Sequence, residues 1–276
     1  MTNLNDLHHI SESFSNSEKM PVLFLGHGSP MNAIEENQFV TGFREMAKTL
    51  PKPNAILCVS AHWFTQGTKV TAMEMPKTIH DFGGFPKELF EVQYPAKGNI
   101  ALAKETKELL NPVFVELDEK WGLDHGAWSV IKHLYPNADI PVVQLSIDYT
   151  KPAQFHFELA QKLNLLRNKG ILIIGSGNIV HNLSLVDFKN FNKDNYGFDW
   201  AIEARETINN YLLDGNFQPL IDYEKQPKAF QLAIPTPDHY LPLIYTLGLS
   251  QKGENLSLFN DKLVAGSLSM TSLKIG

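Results

Sequence analysis

The stretch ILIIGSGNIVH, residues 171–181, settles what kind of fold this chain has. Four large apolar residues run without interruption into Gly175-Ser176-Gly177, and the segment closes on a histidine. A strand that is apolar at every position, rather than at every second one, is buried on both faces. That is the habit of parallel sheets covered by helices. The residues before it, 152–168, carry a helical pattern that stops at Gly170, a helix C-cap residue.

The same alternation extends in both directions. Strand patterns fall at VLFLG (22–26), AILCVSAHW (55–63), KVTAMEM (69–75), 113–117 and PVVQLSID (141–148). Helical patterns fall at 37–49, 99–110, 127–134, 199–213 and 239–247. LSLF and LVAGSLSM near the end read as a hairpin. Continuous apolar strands alternating with helices predict an α/β fold: one domain with a central sheet, helices on both faces, and a site at the carboxyl ends of the strands. Residues 1–20 are polar and read as a flexible extension, and 21–276 as the folded domain. The loop 80–98 is longer than an ordinary connection and is a functional-loop candidate.

Composition excludes several classes. A net charge of −6, with no cluster of Lys and Arg, argues against nucleic acid as the main partner. No run of eighteen apolar residues exists, so no membrane span is expected. The single cysteine, Cys58, lies in an apolar run and suits a reducing, cytoplasmic setting. The G-x-G-x-x-G, Walker, G-x-S-x-G and H-E-x-x-H motifs are all absent.

What remains is the placement of histidines. Of ten, His8 and His9 lie in the extension, and His80, His133 and His156 read as surface or packing residues. His27, His62 and His181 follow buried-strand patterns, while His125 and His239 sit in Gly- or Pro-rich loops. Residues remote in sequence meet outside the carboxyl ends of such strands, and imidazole is the commonest metal ligand at neutral pH. The five therefore predict one shared metal site. Gly26 and Gly28 would leave room beside His27, and Pro235 and Pro237 would stiffen the approach to His239. Asp124 and Asp238 are read either as carboxylates that orient imidazoles or as cap and turn residues. Ser176 is read as a helix cap, with a place lining the site as the alternative.

GHGSP (26–30), SAHW (60–63), HDFGGFPKELFEVQYPAKG (80–98), GLDHGAW (122–128), GSGNIVHNL (175–183) and PTPDHYLPL (235–243) together resemble the class III extradiol ring-cleavage dioxygenases, on the side of the 4,5-DOPA extradiol dioxygenase-like branch. The resemblance implies a mononuclear non-haem metal held by His27, His62 and His239. It makes His181 a fourth ligand or the active-site base, and His125 the other catalytic histidine. It also implies Fe(II) for activity, with Zn(II) able to take the site, and a catechol such as DOPA and O₂ as substrates. Better-known members use two histidines and a glutamate, whereas here the third position is His239. Phe82, Phe85 and Tyr94 would then wall an aromatic pocket. A zinc-dependent hydrolase and a non-enzymatic metal-binding protein are the alternative readings. Oligomeric state is not legible.

Overall fold

The structure, a computed structural model, describes residues 18–276. Eight strands form one sheet in the order β4-β3-β5-β2-β6-β1-β10-β7. They are β1 (Val22–Gly26), β2 (Ala55–Thr65), β3 (Thr68–Thr71), β4 (Val115–Asp118), β5 (Val142–Asp148), β6 (Ile171–Gly177), β7 (Leu256–Phe259) and β10 (Ser272–Ile275). A separate small ribbon pairs β8 (Leu263–Val264) with β9 (Leu268–Ser269). The four central strands β5, β2, β6 and β1 are mutually parallel, and the sheet turns antiparallel at β3 on one side and β10 on the other.

The continuous apolar strands divide their side chains between two cores. Val22, Phe24, Leu57, Val59, Ile171 and Ile173 face one core. There they meet Ile208 of α5 (Asp199–Leu213) and Leu243 and Ile244 of α7 (Leu241–Gly248). Leu23, Leu25, Ile56, Cys58, Leu172 and Ile174 face the other. There they meet Phe43 of α1 (Gln38–Lys48) and Trp128 and Ile131 of α3 (His125–Leu134). The remaining longer helices are α2 (Ile100–Leu109), α4 (Ala153–Gln161) and α6 (Lys228–Ala233). A period-two backbone with both faces apolar needs covering on both sides, and it has it.

Some details differ from the sequence reading. The pattern at 69–75 is a strand only to Thr71. The pattern at 152–168 is two helices, Ala153–Gln161 and Asn164–Arg167. Gly170 does stand in the left-handed region, at φ 73°. LVAGSLSM is a hairpin, but LSLF pairs with Ser272–Ile275, a strand whose mixed SLKI pattern gave no signal. Met20 is buried, and its N–H donates to the Arg167 carbonyl, so packing begins before Pro21. Residues 1–17, which include His8, His9 and most of the expected extension, lie outside the described residues. Among the described residues no helix is long and apolar enough to cross a membrane.

Arg167 fastens the chain start to the sheet edge. Its buried guanidinium donates to the carbonyls of Met20 and Leu249, both at 2.8 Å, and to Glu254. Lys19 also reaches Glu254, at 2.6 Å. Burial alone would raise the Glu254 pKa, but the hydrogen bonds from Arg167 and Lys19 prevail and hold it at about 2. A carboxyl depressed in the folded state stabilises fully above its unfolded pKa and loses that contribution as pH falls through the folded value. Glu254→Gln is therefore expected to destabilise the protein by roughly 1–2 kcal/mol near pH 7, after discounting for solvent screening at this edge. The difference from wild type should shrink between pH 4.5 and pH 2 in denaturant melts.

Candidate metal centre

The carboxyl ends of β1, β6 and β2 lie side by side, with Gly26 opposite Gly177 and Ser60 opposite Ser176. His27 leaves the end of β1. His62 stays within β2, where the pairing with β5 is irregular between Val59 and Phe64. His125 is not in a loop: it opens α3, whose N-cap is Asp124. His181 lies four residues beyond β6 and bridges to Leu268. His239 sits in the turn before α7. All five line one cavity of about 690 Å³.

One contact brings His27 and His62 together. His27 Nε2 and His62 Nε2 stand 3.2 Å apart. The ring of His239 is nearly equidistant from both, with centroid separations of 5.2 Å and 5.0 Å. His125 lies against His62 at 3.8 Å, and His181 stacks flat on His239 at 3.6 Å. His27, His62 and His125 each place a nitrogen within 4.8 Å of the others.

Hydrogen bonding fixes which nitrogens carry protons. The Ser176 hydroxyl donates its only proton to the Gly126 carbonyl, so its oxygen accepts from His27 Nδ1, 3.1 Å away. Asp238 takes the Nδ1 proton of His239. Asp81 lies 3.2 Å from Nδ1 of His62. An imidazole protonated on Nδ1 presents a lone pair at Nε2. Two such lone pairs facing each other at 3.2 Å repel unless a cation lies between them. Two nitrogens each ~2.1 Å from one ion at a tetrahedral angle would be ~3.4 Å apart, so the pair fits a shared metal.

Electrostatics keep the cluster ready for one. Burial, reinforced by the neighbouring histidines, holds His27 well below its usual pKa. Burial likewise lowers His125 and His239. His181, buried beside His239, is pushed down to about 3. His62 moves the other way: burial would lower it, but the carboxylates of Asp81, Asp124 and Asp238 raise it. Burial would raise Asp81 and Asp238, but their histidine partners prevail and keep both ionised.

Asp81 gave no signal by itself in the sequence, although it lies in the HDFGG segment. Its Oδ1 accepts the backbone N–H of His125 at 2.9 Å and lies 3.0 Å from that residue's ring Nδ1. The alignment with the ring is poor, and His125 Nδ1 is left buried without a hydrogen-bonded partner. Asp238 does orient a ring. Asp124 instead caps α3 and accepts from Ser60, Trp121 and Gln144. Ser176 is a site residue rather than a cap.

The glycines act differently from expectation. A side chain on Gly26 would strike the Met270 backbone at 2.6 Å, and Gly28 stands at φ 62° with the Met270 sulfur 2.3 Å from where a Cβ would lie. They make room for Met270, not for a ligand. Phe82 and Phe85 wall the cavity, Phe82 meeting His125 edge-on at 5.4 Å. Tyr94 does not: it is buried in the core and donates to the Tyr135 carbonyl at 2.8 Å. The opposite wall is Leu183, Val186, Phe188 and Phe191, which carried no sequence signal as a pocket. His80, His133 and His156 make packing hydrogen bonds, to the Val92 and Asn32 carbonyls and the Tyr245 hydroxyl.

Residues 21–265 match the family described as the catalytic LigB subunit of aromatic ring-opening dioxygenase. The chain belongs to the LigB family. It is 48% identical over 271 residues to the 4,5-DOPA dioxygenase extradiol of Escherichia coli K12, covering 97% of this chain and 98% of that one. It is 34% identical over 258 residues to the 4,5-DOPA dioxygenase extradiol of Beta vulgaris, covering 91% and 94%. A crystal structure of an uncharacterized protein from Escherichia coli K12 superposes with a TM-score of 0.81 at 45% identity, over 93% of this chain and all of that one. This LigB protein is thus an aromatic ring-opening dioxygenase of the extradiol type, and its three-histidine group is suited to the metal such enzymes depend on.

The backbone under His239 offers a test. A Cβ on Gly177 would lie 2.1 Å from the His239 carbonyl oxygen. Gly177→Ala should therefore push the 239 turn outward and weaken metal binding by about 10- to 100-fold, as losing a ligand's support does elsewhere. A metal titration checks it; an unchanged affinity would show that the turn does not position a ligand.

Proposed function

We propose that this protein opens the ring of a catechol beside its two hydroxyls, adding both atoms of O₂, with DOPA as a representative substrate. The convergence of unprotonated imidazole nitrogens at one end of a cavity walled by aromatic and aliphatic side chains carries this reading. Relatives named 4,5-DOPA dioxygenase extradiol support it. We assign His27, His62 and His239 as the metal ligands. His239 is favoured as the third by its near-equal ring distance from the other two and by its Asp238 partner; His125, whose nitrogen also lies within 4.8 Å of both, is the competing third ligand.

When bound, the metal would supply a Lewis-acidic centre with open positions for the catechol oxygens and for O₂. The chain's own residues do the rest. Phe82, Phe85 and the 183–191 wall hold the ring and exclude water from it. His181 is neutral and accepts a catechol hydroxyl proton at a ring nitrogen. Its stacking on His239 projects its nitrogens alongside that ring rather than towards a common centre, which argues against a ligand; its low pKa is a weakness as a base that a bound anionic catecholate would offset. His125, beside the Asp81 carboxylate, holds and returns a proton to the substrate oxygens as the ring opens. Fe(II) is the working ion, because O₂ chemistry needs a redox metal; Zn(II) suits the same nitrogens without supporting it. With one buried cysteine, Cys58, the chain suits the reducing cytoplasm.

Anaerobic loading with Fe(II), addition of L-DOPA and admission of O₂ should give a yellow ring-opened semialdehyde with one O₂ consumed per product. Failure on every catechol tried, at full iron occupancy, would overturn the reading. A zinc hydrolase on the same nitrogens would turn over without O₂ uptake. His27→Ala and His239→Ala should abolish stoichiometric metal binding. His125→Ala and His181→Ala should retain metal but lose about 10²- to 10⁴-fold in kcat. Metal retained by His239→Ala and lost by His125→Ala would reassign the third ligand.

A further inference from the structure

We infer that Glu35 sets substrate specificity by charge, selecting catechols whose side chain carries an ammonium group over those carrying only a carboxylate. The inference rests on the ring-cleavage reading for its substrate class and goes beyond it by naming the side-chain charge and the residue that reads it. Among the described residues that line the large cavity, Glu35 is the one charged side chain apart from the histidines, and no Lys or Arg is among them. No ion pair engages it among the described residues: the neighbouring Glu36 is the partner of Arg44, at 2.6 Å. Lys132, behind the same turn, donates to the Ala33 carbonyl at 2.8 Å and is not a wall residue.

Glu35 is also fixed relative to the metal end. The Asn32 side chain donates to the His27 carbonyl at 3.0 Å, and the Glu35 N–H donates to the Met31 carbonyl at 3.0 Å. The short turn thus ties the Glu35 backbone to His27. It stands where this cavity meets a second one of about 240 Å³, whose mixed lining includes Phe39, Val264 and Met270 as well as Asn37 and Asn192. A catechol anchored at the histidines would send its side chain past Glu35 towards that second cavity. The cation in the second cavity is Lys193, whose ammonium lies over the Tyr196 ring at 4.6 Å. Asp194, paired with Lys262 at 2.8 Å, lines the same cavity.

Glu35 is exposed, so its pull is modest and screened by salt. An exposed pair is worth up to about fivefold and repulsion of an anion up to about the same factor, so cation over anion should reach at most about 25-fold. The test measures binding under argon and kcat/KM in air for four catechols on the metal-loaded enzyme. They are dopamine (cationic), L-DOPA (zwitterionic), 4-methylcatechol (neutral) and 3,4-dihydroxyphenylpropionate (anionic).

Affinity should fall in the order cation, zwitterion, neutral, anion, with the difference carried in KM rather than kcat. The cation-to-anion ratio should shrink at 1 M salt, collapse towards unity in Glu35→Gln, and invert in Glu35→Lys. Equal affinities across the four, or a ratio that salt and both substitutions leave unchanged, would overturn the inference. Charge-ordered binding without turnover on any of the four would overturn the ring-cleavage reading and support this one.

Discussion

Two imidazole lone pairs face each other across 3.2 Å, and most of this protein is arranged so that they have to. A histidine free to change tautomer would relieve the repulsion by placing a proton between the rings. Ser176 on one side and Asp81 on the other occupy the Nδ1 protons and remove that freedom. Burial disfavours a proton on His27, whereas the carboxylates around His62 outweigh its burial and favour one there, so the pair is held for a single bridging cation, proton or metal. The arrangement is thus poised to be satisfied by a metal ion.

The scaffold supplies this constraint from widely separated parts of the chain. Strand ends provide His27 and the Ser176 that holds it, an irregular strand interior provides His62, a helix start provides His125, and a turn fitted onto Gly177 provides His239. The two carboxylates that orient rings, Asp81 and Asp238, come from connecting segments, where backbone can be shaped freely. The helix cap Asp124 joins the two kinds of support. It fixes the start of α3, and through Ser60 it ties that start to the strand that carries His62. The apolar wall opposite the histidines gives an aromatic ring a dry face. The junction with the second cavity gives a side chain somewhere to go.

Legibility in the sequence followed the nature of the signal. ILIIG, VLFLG and AILCV announced strands buried on both faces because that environment removes polar residues from every position. His27, His62 and His181 drew notice because each follows such a run, and His125 and His239 because each sits among Gly or Pro residues. Asp81 was not, because a carboxylate in a Gly-rich loop looks the same whether it meets solvent or two imidazoles. Tyr94 was read as a wall residue and proved to be core. Both fates suit an aromatic near a Phe-rich loop, and only the path of the chain distinguishes them. Leu183, Phe188 and Phe191 gave no warning, since isolated exposed apolar residues are ordinary.

By itself, then, the sequence determined the local and compositional facts. It decided which segments are strands buried on both faces, that helices must cover them, and which histidines stand at their ends, because hydrophobic periodicity and chain punctuation are written residue by residue. Tertiary structure alone decided the rest. It set which nitrogen of each ring is bare, which carboxylate reaches which histidine, that Ser176 serves a ring instead of a helix, and that Glu35 stands where two cavities meet. Those outcomes depend on distances of about 3 Å between residues tens to hundreds of positions apart, and such distances exist only once strand order and turn geometry have been fixed.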